Sequence, residues 1–94
     1  MNKYEILYIL SAELDDAARD GLIEKFQSII TNSGGEIESV DKWGLKKLAY
    51  PISYKQDGYY VVMTFASGAE IPAELERQMR ISDEVMRFLV TVRK

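Results

Sequence analysis

Apolar residues recur along this chain with two periods, and the switches between them divide it into six stretches. From Lys3 to Leu10 the spacing is two: Tyr4, Ile6, Tyr8 and Leu10 share one face and Lys3, Glu5, Leu7 and Ile9 the other. Both faces turn apolar toward the end of that run, as in a strand set inside a sheet. Asp15 and Asp16 then open a helix, because carboxylates favour its positive end. Ala18, Leu22, Phe26, Ile29 and Ile30 form its apolar stripe on a period of 3.6, and Gly34-Gly35 stops it. Glu36 to Ile52 reads as a long edge strand bent at Gly44, with Pro51, which cannot donate to a ladder, near its end.

Asp57-Gly58 signals a turn, and Tyr59 to Ala66, apolar on both faces, reads as a central strand. Pro72 marks a first helical position, and Leu75 and Met79, four apart, predict a short helix ending near Ile81. Val85 to Val92 closes the pattern, with Met86, Phe88, Val90 and Val92 expected inward and Arg87, Leu89, Thr91 and Arg93 outward. Strand, helix, strand, strand, helix, strand predicts an α+β sandwich of the ferredoxin-like βαββαβ type. Its four-stranded antiparallel sheet has the order 4-1-3-2, with both helices on one face. Residues 1–94 are expected to form a single such domain.

Composition narrows the chemistry. With 47% apolar and 29% charged residues the chain is an ordinary globular sequence. It has no histidine and no cysteine, so the usual ligands of zinc and the commonest general base are missing, and no metal or cofactor is expected. No apolar run approaches the ~20 residues of a membrane span, and the N-terminus lacks a signal-peptide pattern, so the expected location is cytoplasmic.

The net charge of −3 is unevenly spread. Glu13 to Glu24 holds five acids against Arg19 alone, whereas Lys42 to Lys55 holds four lysines and no acid, and Val85 to Lys94 holds Arg87, Arg93 and Lys94 with none. Screening confines each field to roughly 8–10 Å, so a partner at either basic segment meets a positive surface. The topology sets Lys3 and Tyr4 beside Arg93 and Lys94, and Lys46, Lys47 and Lys55 at the other end of the opposite edge. Two basic patches are therefore expected.

The run Gly44-Leu45-Lys46-Lys47-Leu48-Ala49-Tyr50-Pro51-Ile52, preceded by Trp43, closely resembles the signature of the bacterial small-subunit ribosomal protein S6 family. Tyr4-Glu5, Gly34-Gly35, Gly58-Tyr59 and Arg87 match in register, so the resemblance covers essentially the whole chain. It implies a non-enzymatic component of the small ribosomal subunit. Family members pair with ribosomal protein S18, and the pair binds a helical junction in the central domain of the small-subunit ribosomal RNA. Many carry a C-terminal tail, whose function is expected to be absent from a sequence ending at Lys94.

Each candidate residue has a plainer explanation. Trp43 and Tyr50 are either half-buried sheet aromatics or partner contacts, and the bend at Gly44 together with the resemblance favours contact. Lys46 and Lys47 either guard an edge strand or meet phosphate or an acidic partner. With Leu48 these five make up the expected protein-partner interface. Lys3, Tyr4, Arg87, Arg93 and Lys94 are either solvated charge or the RNA margin, where arginine's planar fork suits phosphate. The aromatic-glycine signature of the RNA-recognition motif is missing, so backbone and shape recognition is expected instead of base stacking. For Asp15, Asp16 and Asp20, helix capping is favoured over metal binding. The alternative function is a small-molecule or catalytic site on a ferredoxin-like dimer, which needs a pocket of convergent polar groups.

Overall fold

The computed structural model describes residues 2–52 and 55–93, with side chains described for 2–47 and 57–93. Its elements are β1 (Asn2–Ser11), α1 (Asp16–Asn32), β2 (Glu36–Ile52), β3 (Lys55–Ser67), α2 (Glu70–Arg80) and β4 (Val85–Arg93). The sheet order is β2-β3-β1-β4, antiparallel throughout, which is the ferredoxin-like arrangement expected.

One face of the sheet meets the helices. Tyr4, Ile6, Tyr8 and Leu10 of β1 and Val61, Met63 and Phe65 of β3 are buried against Ile23, Phe26 and Ile30 of α1 and Ile71, Leu75 and Met79 of α2. Tyr8 stands edge-to-face with Phe26, centroids 5.4 Å apart, and truncating such a buried aromatic costs about 3–5 kcal/mol. The α1 stripe is rotated from its expected position: Ile23 is buried and Ala18 is exposed. A methyl group adds little burial, so the larger Ile23 takes the inward direction.

α1 is capped by Asp15, whose Oδ1 accepts from the Ala18 N–H at 2.7 Å. Pro72 is the third residue of α2, still within the first turn, where a missing N–H breaks no helical bond. In β4 the pairing with β1 shifts between Ile9 and Leu10, so that Leu10 faces Val85. Val85, with Phe88 and Val90, then packs on the core in place of Met86. Val92 is exposed, at the open edge of the outermost strand.

Asp57-Gly58 is not the hairpin turn. Gly58 is paired with Ser11 on one side and Lys46 on the other, and β2 and β3 are still paired at Ile52 and Lys55. β1 has no partner beyond Gly58, so the outer parts of β2 and β3 continue as a two-stranded arm. The bend at Gly44 is present: its φ is +88°, and the register shifts between Lys42 and Gly44, which marks a bulge.

Candidate functional site

The helices cover one sheet face, and the other is open. Pairing aligns the open face in rows across four strands. At one end stand Arg93, Lys3 and Ala66, then Thr91, Glu5, Thr64 and Ser39. Next come Leu89, Leu7, Val62 and Asp41, and finally Arg87, Ile9 and Tyr60 with the bulge of β2. Lys3, Glu5 and Arg93 thus gather at one end, a largely apolar band crosses the middle, and Arg87 stands at the other end of β4.

The charged end is internally paired. Lys3 Nζ reaches across β3 to Glu38 Oε1 at 3.3 Å, and Arg93 Nη1 lies 3.4 Å from Glu5 Oε2. The Thr91 hydroxyl donates to the Glu5 carbonyl at 3.4 Å. Both ion pairs are solvated, and pairs of that kind contribute about 0–1 kcal/mol. A phosphate can therefore take over either cation at small cost. The register pairs Lys3 with Arg93 as the topology requires, whereas Lys94 lies outside the described residues.

Tyr4 corrects the expected RNA margin. It is only 6% exposed, its ring lies against Phe65 at 5.6 Å, and its hydroxyl accepts from Asn2 Nδ2 at 3.3 Å. The alternation that exposes Lys3 turns Tyr4 toward the helices, so its ring is a core element.

The band carries residues that the sequence pattern did not single out. Leu7, Ile9, Tyr60, Phe88, Leu89 and Arg87 line a shallow hollow of about 270 Å³. Arg87 and the Tyr60 hydroxyl are its only polar side-chain groups, so it lacks the convergent set that a small-molecule site requires. Trp43 adjoins the band, 50% exposed, with its ring parallel to Tyr60 within 8° and centroids 6.5 Å apart. The Lys46 ammonium sits 5.0 Å from the indole centroid. Lys46 and Lys47 are both exposed, and Lys47 faces Asp57 in the register. The side chains of Leu48 and Tyr50 lie outside those described.

The acids of α1 have structural partners. Asp15 caps the helix, Asp16 pairs with Arg19, and Asp20 accepts from Lys42 at 3.4 Å. Among the described residues no group of three or more acidic side chains is placed to hold a metal ion, and no helix is long and apolar enough to cross a membrane.

A helix-backed sheet whose open face joins an apolar band to solvated charge is a docking module for macromolecules. The family model described as ribosomal protein S6 matches residues 3–92, and the chain belongs to that family. The chain is 50% identical to small ribosomal subunit protein bS6 of Caldanaerobacter subterraneus subsp. tengcongensis over 90 residues, covering 96% of this chain and 95% of that one. Against bS6 of Clostridium acetobutylicum the identity is 51% with the same coverage. A crystal structure of 30S ribosomal protein S6 from Thermotoga maritima superimposes with a TM-score of 0.92 at 29% identity, covering 98% of this chain and 87% of that one. Membership makes the chain a ribosomal structural protein of the small subunit and not an enzyme, and places it in the cytoplasmic ribosome.

Proposed function

We propose that this protein binds the central domain of the small-subunit ribosomal RNA as one half of a pair with ribosomal protein S18. The RNA backbone meets the β1–β4 margin through Lys3, Arg87 and Arg93, and Lys94 extends the same margin in sequence. S18 seats on the open band and the base of the arm, against Trp43, Tyr60, Lys46 and Lys47, with Leu48 and Tyr50 farther along β2. The observation that carries this reading is the half-exposed Trp43 stacked beside Tyr60 at the edge of an apolar band. Large aromatics with few torsions to freeze, ringed by charge, are the usual anchors of protein interfaces.

Two substitutions separate the two contacts. Trp43→Ala is expected to weaken the complex with S18 by about 2 kcal/mol or more, roughly thirtyfold in the dissociation constant measured by calorimetry. Arg93→Glu, at the charged end away from the band, is expected to leave the S18 complex formed, weaken RNA binding by the pair, and flatten the dependence of affinity on salt. An S18 complex of unchanged strength with Trp43→Ala refutes the docking surface. An unchanged salt slope with Arg93→Glu refutes the RNA margin.

A further inference from the structure

Two neighbouring residues of α1 touch β2 and β3 in the last rows of the sheet that β1 still pairs, just before the arm begins. The Arg19 guanidinium carbon lies 4.1 Å from the centroid of Tyr59 on β3. The Asp20 carboxylate accepts from Lys42 Nζ on β2 at 3.4 Å. Tyr59 pairs with Leu45 and Lys42 with Val61, so the two contacts bracket the bulge at Gly44. Just beyond them β1 ends its pairing, and β2 and β3 have only each other.

Arg19 is unusual for a helix-surface arginine. Its side chain is only 15% exposed, and its Nε is shut from solvent with no hydrogen-bond partner among the described residues. Shielding a guanidinium N–H without an acceptor costs free energy, which a side chain swung into water would avoid. Two contacts hold it in place: the Asp16 carboxylate and the face of Tyr59. A planar cation clamped between an acid and a ring has a fixed orientation, and so has the ring beneath it.

We propose that Arg19 and Asp20 are positioning residues for the arm, a clamp by which α1 sets the angle at which β2 and β3 project. Their effect on binding rests on the docking of S18 at the base of the arm proposed above. The bulge at Gly44 interrupts the β2–β3 ladder two residues before the arm begins, so the sheet alone holds that angle weakly. Contacts from α1 to each strand remove the remaining freedom before the partner arrives, and part of the ordering cost of association with it.

The clamp is tested first in the protein without partners. Arg19→Lys keeps the charge and loses the planar stack, and Asp20→Asn removes the ion pair; neither touches the buried cluster. Amide exchange at Leu45, Lys46, Lys47 and Tyr59 is expected to quicken roughly tenfold in Arg19→Lys and about two- to fivefold in Asp20→Asn, whose ion pair is solvated, with the amides of Ile6 and Tyr8 unchanged. The exchanged pair Asp20→Lys with Lys42→Asp is expected to restore protection on β2. Unchanged exchange at the arm, or equal change throughout the sheet, overturns the clamp. Affinity for S18 is then expected to fall several-fold in Arg19→Lys. If Trp43→Ala weakens that complex and Arg19→Lys does not, the positioning role is wrong while the docking surface stands. If neither weakens it, the docking surface fails, and the exchange rates alone decide the clamp.

Discussion

Tyr8 holds a polar atom where the core offers it nothing. Its side chain is fully buried, and its hydroxyl finds no hydrogen-bond partner among the described residues. Burial, and secondarily the nearby Tyr59, push its pKa well above the ordinary phenol value. The folded state therefore favours the neutral form. Its contribution is complete below about pH 10, where the unfolded phenol titrates, and is lost as pH rises beyond that. Replacing the hydroxyl by hydrogen removes the unpaired group and the ionisation together. Tyr8→Phe is expected to raise stability by about 1 kcal/mol at pH 7 and to flatten its decline above pH 10, as measured by urea unfolding across that range. A loss of stability at pH 7 would show that the hydroxyl is bonded in solution. Glu74 titrates in the opposite sense. Hydrogen bonds from Arg77, then Gln78, lower its pKa to about 2, so its contribution is present above pH 4.5 and fades as the pH falls toward 2. Its side chain is partly exposed and its partner Arg77 more so, so solvent screens the pair and this acid limb is shallow.

Among the elements, β2 depends most on a single backbone conformation. Gly44 has φ +88° and open space around its missing side chain, so Gly44→Ala meets no clash and suffers only the backbone penalty, about 1 kcal/mol. Gly35 differs. A methyl group there would stand 2.8 Å from Ile30 Cγ2, 2.9 Å from the Ile30 carbonyl oxygen and 3.0 Å from that of Ala66. Two of these are backbone atoms that cannot swing aside, so Gly35→Ala is expected to cost more, about 2–3 kcal/mol in the same denaturant titration. Equal costs would contradict this account. Both glycines were legible from the sequence, as was the order of the six elements, because period and punctuation are local signals. What was not legible depended on neighbours. Asp57-Gly58 has turn chemistry, yet pairing on both sides of Gly58 keeps it in the sheet. The apolar residues on both faces of β1 announce a central strand, and β3 and β4 do flank it. The pattern cannot tell whether the second face is covered by its own helices or left open. Leu7 and Leu89 were therefore legible as strand residues but not as part of an open apolar band, nor was Ile9, buried at its floor. Ala18 and Ile23 lie about 140° apart on the helical wheel, on either side of Phe26, and the sheet beneath α1 decides which flank of Phe26 turns inward.

For the molecule as a whole, an acidic protein with a net charge of −3 must meet a polyanion through a local surface. The charged end of the open face has the cations for this, and it also has Glu5 and Glu38 holding Arg93 and Lys3. If this margin meets RNA as proposed, each cation must exchange a carboxylate for a phosphate, and the two acids oppose binding. Glu5→Gln releases Arg93 and removes one negative charge from the proposed RNA side, leaving the core untouched because Glu5 points away from the helices. The proposed pair with S18 is then expected to bind the small-subunit RNA about two- to fivefold more tightly, which corresponds to the 0–1 kcal/mol of a solvated ion pair. Arg93→Ala is expected to act in reverse, weakening binding and reducing by about one the slope of log affinity against log salt. Filter binding from low to physiological salt measures both quantities on one plot. Weaker binding by Glu5→Gln would mean that Glu5 holds Arg93 in the orientation the phosphate needs, and that the pair belongs to the interface instead of competing with it.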